Sequence, residues 1–133
     1  MNLCVFLGGT CNGSTWRDEI IPQLSIDYFN PVVKDWTPYC MAEEIRQRSI
    51  CDFVLYTITP KMKGVYSIAE LVQDSCFRPE KTILVILTED GEKKFDEFQL
   101  KSLGQVSKMV KDNGGQSFDS IEKAAKFMNK IVK

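Results

Sequence analysis

The sequence predicts an α/β fold: a doubly wound parallel sheet of about five strands flanked by helices, in one domain over residues 1–133. Three observations predict it. Two stretches, "CDFVLYTIT" and "KTILVILT", are apolar almost without a break, as strands buried on both faces are. Stretches of strand character alternate with stretches of helical periodicity, the pattern of βαβ crossovers. No linker, internal repeat or low-complexity segment interrupts the 133 residues, which are too few for two ordinary domains.

The elements follow in order. "NLCVFLG" is a short apolar run ending in glycine, hence a buried first strand. "GGTCNGST" is a polar, glycine-rich loop. "TWRDEIIPQL" is a first helix, with Thr15 and Asp18 in capping-box spacing and Pro22 ending or bending it early. "SIDYFNPVV" is a second strand, closed at or soon after Asn30-Pro31. In "KDWTPYC", Thr37 followed by Pro38 marks an N-cap and first helical position, so "YCMAEEIRQRSI" is a second helix. "CDFVLYTIT" is the third strand and "PKMKG" a loop. "SIAELVQDSCF" is a third helix with Ile68, Leu71, Val72 and Cys76 on one face. "KTILVILT" is the fourth strand and "EDGEK" a turn. "FDEFQLKSLGQVSKMVKD" is a long helix, "NGGQSF" a turn with at most a short edge strand, and "DSIEKAAKFMNKIVK" a closing helix opened by Asp119 with Glu122. This order suits a flavodoxin-like or Rossmann-like sheet. Such a sheet binds ligands beyond the carboxyl ends of its strands, where the strand order reverses. In the flavodoxin-like order that point lies between the first and third strands, which deliver "GGTCNGST" and "TPKMKGVYS".

Composition narrows the chemistry. Net charge is −1 from 17 basic and 18 acidic residues, and the C-terminal lysines are spread among acids on helical patterns. A nucleic acid polymer is therefore not an expected partner. The cysteines stand at 4, 11, 40, 51 and 76, an odd set without CxxC spacing, and histidine is absent. Zinc held by Cys and His is not expected, and Ser-His-Asp or Cys-His catalysis is excluded. Acid–base work falls to carboxylates, Tyr, Lys or Cys, and no metal or organic cofactor is expected. The run "LCVFL" is too short for a signal peptide and lacks a basic n-region, and no run reaches membrane-spanning length. A reduced, cytoplasmic protein with no membrane partner is expected.

Two features meet at the predicted crevice. In the first loop, Gly8, Gly9 and Gly13 let backbone N–H groups approach an anion or a sugar, and Thr10, Cys11, Asn12 and Ser14 add side chains that hydrogen-bond. It is neither a Walker A loop nor a GxGxxG fingerprint. A tight strand-to-helix turn is the structural alternative. Arg17, one turn into the helix, either adds a charge there or pairs on the surface with Asp18 or Glu19. At the second loop, "KGVYSIAEL" carries Ser67 and Glu70 in Ser-x-x-Glu spacing. Read locally this is a capping box, the commoner meaning of such a pair. A carboxylate in that first turn, kept ionised by the helix dipole, also suits a nucleophile. Asp52 opens the third strand away from the crevice and reads as structural. Glu44 has Arg48 four residues on, an exposed pair on local spacing. Trp16, Trp36 and Tyr39 serve either to stack on a flat ring or to pack.

The assembled motifs "FLGGTCNGSTWRDEIIP", "FNPVVKDW", "AEEIRQRSICDFVLYTIT" and "MKGVYSIAELV" resemble, in this order, the nucleoside 2-deoxyribosyltransferase superfamily. The chain is most similar to its nucleoside 2-deoxyribosyltransferase-like branch, related to the deoxynucleoside monophosphate N-glycosidases. The resemblance covers most of the first 90 residues. It implies cleavage or transfer of an N-glycosidic bond on 2′-deoxyribonucleosides or their 5′-monophosphates, with Glu70 as nucleophile and Glu44 assisting at the nucleobase, where the family usually has Asp. It implies a sugar or phosphate site at Gly8, Gly9, Thr10 and Gly13, joined here by Asn12, Ser14, Lys63 and Ser67. Phe6 stands where the family usually has a nucleophile-orienting Tyr, and Gly64, beside Lys63, where it usually has Asp or Ser. A homo-oligomer is implied as well. A non-catalytic nucleotide or nucleotide-sugar binding module is the alternative, and hydrolysis of another N-glycoside such as NAD a third.

Overall fold

The computed structural model describes residues 2–11, 13–33, 35 and 37–131. Its elements are β1 (Cys4–Gly9), α1 (Trp16–Ile20), β2 (Asp27–Phe29), α2 (Pro38–Ile50), β3 (Phe53–Ile58), α3 (Tyr66–Phe77), β4 (Thr82–Ile86), a ribbon of β5 (Glu89–Asp90) and β6 (Lys93–Lys94), α4 (Glu97–Asp112), β7 (Gln116–Phe118) and α5 (Ile121–Lys130). Five strands pair in parallel in the order β2-β1-β3-β4-β7. The chain leaves β1 toward β2 on one side and returns as β3 on the other. That reversal opens a crevice at the carboxyl ends of β1 and β3. The flavodoxin-like α/β architecture is the one the sequence predicts.

Alternation along the strands divides the core in two. Val5, Leu7, Phe53, Leu55, Ile83 and Val85 face Trp16 and Ile20 of α1 and Ile121, Ala124, Ala125 and Met128 of α5. Phe6, Val54, Tyr56, Ile58 and Leu84 face Leu71 of α3 and Leu103 and Val110 of α4. Every residue of β3 is buried, because β3 is central and covered on both faces. Helix α2 differs: none of its residues is buried. Among the described residues no helix is long and apolar enough to cross a membrane.

Several local expectations hold. Thr37 caps α2 by accepting from the Cys40 N–H at 3.2 Å, with Pro38 in the first turn. Pro22 stops α1 after five residues and the chain continues as one 3-10 turn, Ile21–Gln23. Asp52 accepts from the Cys4 N–H at 2.9 Å, a structural role.

Others are corrected. β2 stops at Phe29 because the Asn30 side chain accepts from the Val32 N–H, turning the chain, and Pro31 has no N–H to give a ladder. The turn at "EDGEK" is the tip of a two-stranded ribbon, with Gly91 at φ +62°. Thr15 stands at the N-cap of α1 but its side chain makes no cap. Ser120, not Asp119, caps α5; Asp119 pairs with Lys123 at 2.8 Å instead. In α3 the buried residues are Leu71, Asp74 and Ser75, and Cys76 is exposed. The inward face is turned from the apolar stripe because polar partners draw two residues in: Asp74 meets Arg48, Arg78 and Tyr56, and the Ser75 hydroxyl donates to the Val72 carbonyl at 2.7 Å and accepts from the Asn113 amide at 3.0 Å.

Candidate active site

A cleft of about 400 Å³ lies at the carboxyl ends of β1 and β3, within the ~300–1,000 Å³ usual for small-molecule sites. Its floor is Phe6, Gly8, Gly9 and Thr10. One wall is apolar, from Pro31, Val32 and Val33 after β2 and from Met62 and Tyr66 before and within α3. Glu44, from α2, and Glu70, from α3, supply its carboxylates. An apolar wall beside a few converging charges suits a ligand with one flat and one polar part.

The floor is glycine because the backbone and rings leave no room for side chains. A Cβ on Gly8 would lie 2.8 Å from the Tyr56 ring, and one on Gly9 would lie 2.3 Å from the Thr57 carbonyl oxygen. Gly9 also has φ +111°, where side chains are strained. Thr10 ties the loop to β3. Its N–H donates to the Thr57 carbonyl at 2.9 Å, and its hydroxyl accepts from the Thr59 N–H at 3.0 Å. The Thr10 carbonyl accepts from Trp16 Nε1 at 2.8 Å and from Arg17 at 2.7 Å. Arg17 is therefore no surface partner of Asp18 or Glu19. It is buried, donates also to the carbonyl of Leu7, and lies over the Trp16 ring at 4.4 Å. Burial weighs against its charge, with Cys11 and Glu44 opposing that effect. Trp16 is packed in the core, which settles its alternative roles.

Glu70 does not close a capping box. Helix α3 starts two residues earlier than the Ser67 cap requires, with Val65 at the N-cap and no side-chain cap bond, so Ser67 lies inside the first turn. The Glu70 carboxylate instead meets Arg48 of α2, 3.4 Å from Oε2, and Arg48 also donates to the Glu70 carbonyl at 3.2 Å. Arg48 in turn grips Asp74, with Nε 2.9 Å from Oδ2 and Nη2 3.1 Å from Oδ1. Asp74 is fully buried and also takes Arg78 at 3.2 Å and the Tyr56 hydroxyl. Four contacts from three side chains thus satisfy one buried carboxylate. Burial raises the pKa of Glu70, Arg48 opposes it, and Glu44 and Asp74 add to it. Burial likewise raises that of Tyr56, reinforced by its bond to Asp74, so its phenol stays protonated. Burial disfavours the Arg48 charge, but Asp74, Tyr56 and Glu70 together outweigh it and raise its pKa.

The cleft brings together Phe6, Gly8, Gly9, Thr10, Gly64 and Ser67 with Glu44 and Glu70. It does not include Gly13, Ser14 or Lys63. Ser14 donates to Asp90 of β5 at 2.6 Å, and Gly13, at φ +79°, accepts through its carbonyl from Lys61. Lys63 is exposed. Asn12 and Trp36 lie outside the described residues. Tyr39 is 77% exposed and lines no part of the cleft. Sequence reasoning misses Asp74, Tyr56, and Arg48's role across helices. The available signals are an acid one turn after Glu70 beside apolar positions, and a lone tyrosine inside an otherwise apolar strand.

A family model described as "Nucleoside 2-deoxyribosyltransferase like" matches residues 2–90. The match runs from before β1 through β5 and takes in the cleft residues named above. No curated protein and no solved structure matches the chain.

Proposed function

Since the chain belongs to the nucleoside 2-deoxyribosyltransferase-like family, we propose that it cleaves or transfers the N-glycosidic bond of 2′-deoxyribonucleosides or their 5′-monophosphates. The observation that carries this reading is the Glu70 carboxylate: it lines the cleft near Glu44 and is ion-paired to Arg48, instead of being spent on its own helix cap. In the proposed reaction a Glu70 oxygen attacks C1′ of the sugar as the C1′–N bond breaks. Glu44 delivers a proton to the departing base. Water, or a second base, then displaces Glu70 from C1′, losing a proton to the Glu44 carboxylate as it does so, which regenerates both the Glu70 carboxylate and the Glu44 acid. The apolar wall of Val32, Val33 and Tyr66 suits the flat base, and the backbone at Gly8 and Gly9 the sugar or phosphate. The chemistry calls for no cofactor. A homo-oligomer is part of the same reading, supported by the exposed Tyr39, Met41 and Ile45 on α2.

One observation favours the alternative of a nucleotide-binding module without turnover. Phe6 offers no hydroxyl beside Glu70, and the Tyr56 hydroxyl on the next strand is given to Asp74. Incubation with a panel of deoxynucleosides and deoxynucleotides, with and without an acceptor base, separates the two. Release or exchange of free base by wild type, lost in Glu70→Ala, is expected. An acidic limb in kcat/KM above the ordinary glutamate range of about 4.3 should accompany it, because the raised pKa of Glu70 governs its ionisation. Nucleotide-induced thermal stabilisation with no base release supports the module and defeats the enzyme.

A further inference from the structure

We propose that Arg48 is the positioning residue for Glu70, supplying from α2 the orientation that Phe6 cannot supply from β1. The proposal rests on reading Glu70 as the nucleophile. Phe6 is 1% exposed, carries no hydroxyl and stacks on Phe29 with centroids 5.9 Å apart. Arg48 holds Glu70 at two points, side chain and main-chain carbonyl. Its own position is fixed by the two-pronged contact with Asp74, which Arg78 and Tyr56 hold from other directions. Glu70 and Asp74 are one helical turn apart, so a planar guanidinium with its donors in a fixed fork spans both, whereas an ammonium concentrates its charge at one point.

The arrangement has two consequences. The ion pair is made through Oε2, so the proposal assigns the attack at C1′ to Oε1. And because α2 buries none of its own residues, the same guanidinium ties the helix that carries Glu44 to the helix that carries Glu70. The relation between nucleophile and acid thus passes through Arg48. The charged and titratable groups facing Glu70 are Arg48 and Glu44 from α2, Asp74 from α3 and Tyr56 from β3.

The test compares Arg48→Gln, Arg48→Lys and Arg78→Met with wild type. Arg78→Met also removes a partner of Asp74 but touches no atom of Glu70. The Glu70 side-chain carboxyl is titrated by carbon-13 NMR, its signal assigned with Glu70→Gln, and kcat and KM are followed against pH on a substrate from the panel. Arg48→Gln is expected to raise the Glu70 midpoint by about one pH unit or more. It should lower kcat by about 10–100-fold with a much smaller change in KM. Arg48→Lys should hold the midpoint near wild type yet still lose kcat, and Arg78→Met should leave the midpoint unmoved. A folded Arg48→Gln whose Glu70 titrates as in wild type overturns the proposal. If Arg48→Gln does not fold, Arg48→Lys decides, and wild-type kcat in that variant overturns it. Absence of turnover by wild type removes the nucleophile reading alone, and the NMR midpoint still decides whether Arg48 governs Glu70.

Discussion

Because burial, with Glu44 and Asp74, outweighs Arg48 and raises the pKa of Glu70, the folded protein binds that proton more tightly than the unfolded chain does. Between the ordinary glutamate value and the raised one, stability falls as pH rises, and above the raised value the full penalty persists. A neutral isostere removes the penalty and keeps the shape. Glu70→Gln is therefore expected to melt about 2–4 °C higher than wild type at pH 7 and to match it below pH 4. It should release no base at either pH. Melting curves across a pH series check the first part, and a variant that is less stable at pH 7 than wild type defeats it. The gain at the cost of function is what a group held for chemistry, rather than for the helix, shows. Asp74 is the contrast: an equally acidic residue one turn away, but with every lone-pair direction taken by Arg48, Arg78 and Tyr56.

At the scale of elements, the ribbon of β5 and β6 latches the loops that shape the cleft. Asp90 accepts from Ser14 of the first loop at 2.6 Å and meets Lys61 of the second at 3.7 Å, while Lys61 donates to the Gly13 carbonyl at 3.4 Å. Burial works to raise the Asp90 pKa, but Ser14, Thr59 and Lys61 outweigh it and hold the carboxyl below its usual value. The folded state then takes up this proton less readily than the unfolded chain. The stabilisation is fully present above the ordinary aspartate value of about 3.9 and is lost as pH falls through the lower, folded one. Asp90→Asn should cost about 1 kcal/mol or less at pH 7, as a partly exposed pair does. It should cost nothing once wild-type Asp90 is itself protonated. Urea unfolding from pH 7 down to pH 2.5 measures this, and an equal deficit at both ends defeats the latch. The sequence shows this ribbon as no more than a turn, since two residues per strand carry no periodicity to read. Ser14 looks like a ligand-binding residue for the same reason: its partner lies 76 positions away.

Across the whole molecule, what the sequence makes legible is what repeats locally. The apolar runs of β3 and β4, the Thr37-Pro38 signal and the stop at Pro22 all act within a few residues, so the sheet, its order and the crevice follow from them. The side-chain commitments within the crevice are long-range and do not. An acid beside apolar positions marks Asp74 as unusual, but nothing local says that its partners will come from α2, β3 and the end of α3, and a shift of two residues at the start of α3 was enough to take Glu70 out of a capping box. The same distinction sets how stability is distributed. β3 is buried throughout and α3 is held in the core by Leu71, while α2 buries nothing and is joined to α3 chiefly through Arg48. A helix with no buried apolar residue gains little from the core and opens in a low-energy local fluctuation. Amide hydrogen exchange in dilute solution should therefore release α2 well before β3, at a free energy below that of global unfolding. It should release α2 sooner still in Arg48→Gln. With rising protein concentration, selective slowing of α2 is the expected mark of a second copy covering Tyr39, Met41 and Ile45. Equal protection of α2 and β3 in a dilute monomer would mean that packing, not the Arg48 bridge, seats α2, and that Glu44 is held over the cleft independently of it.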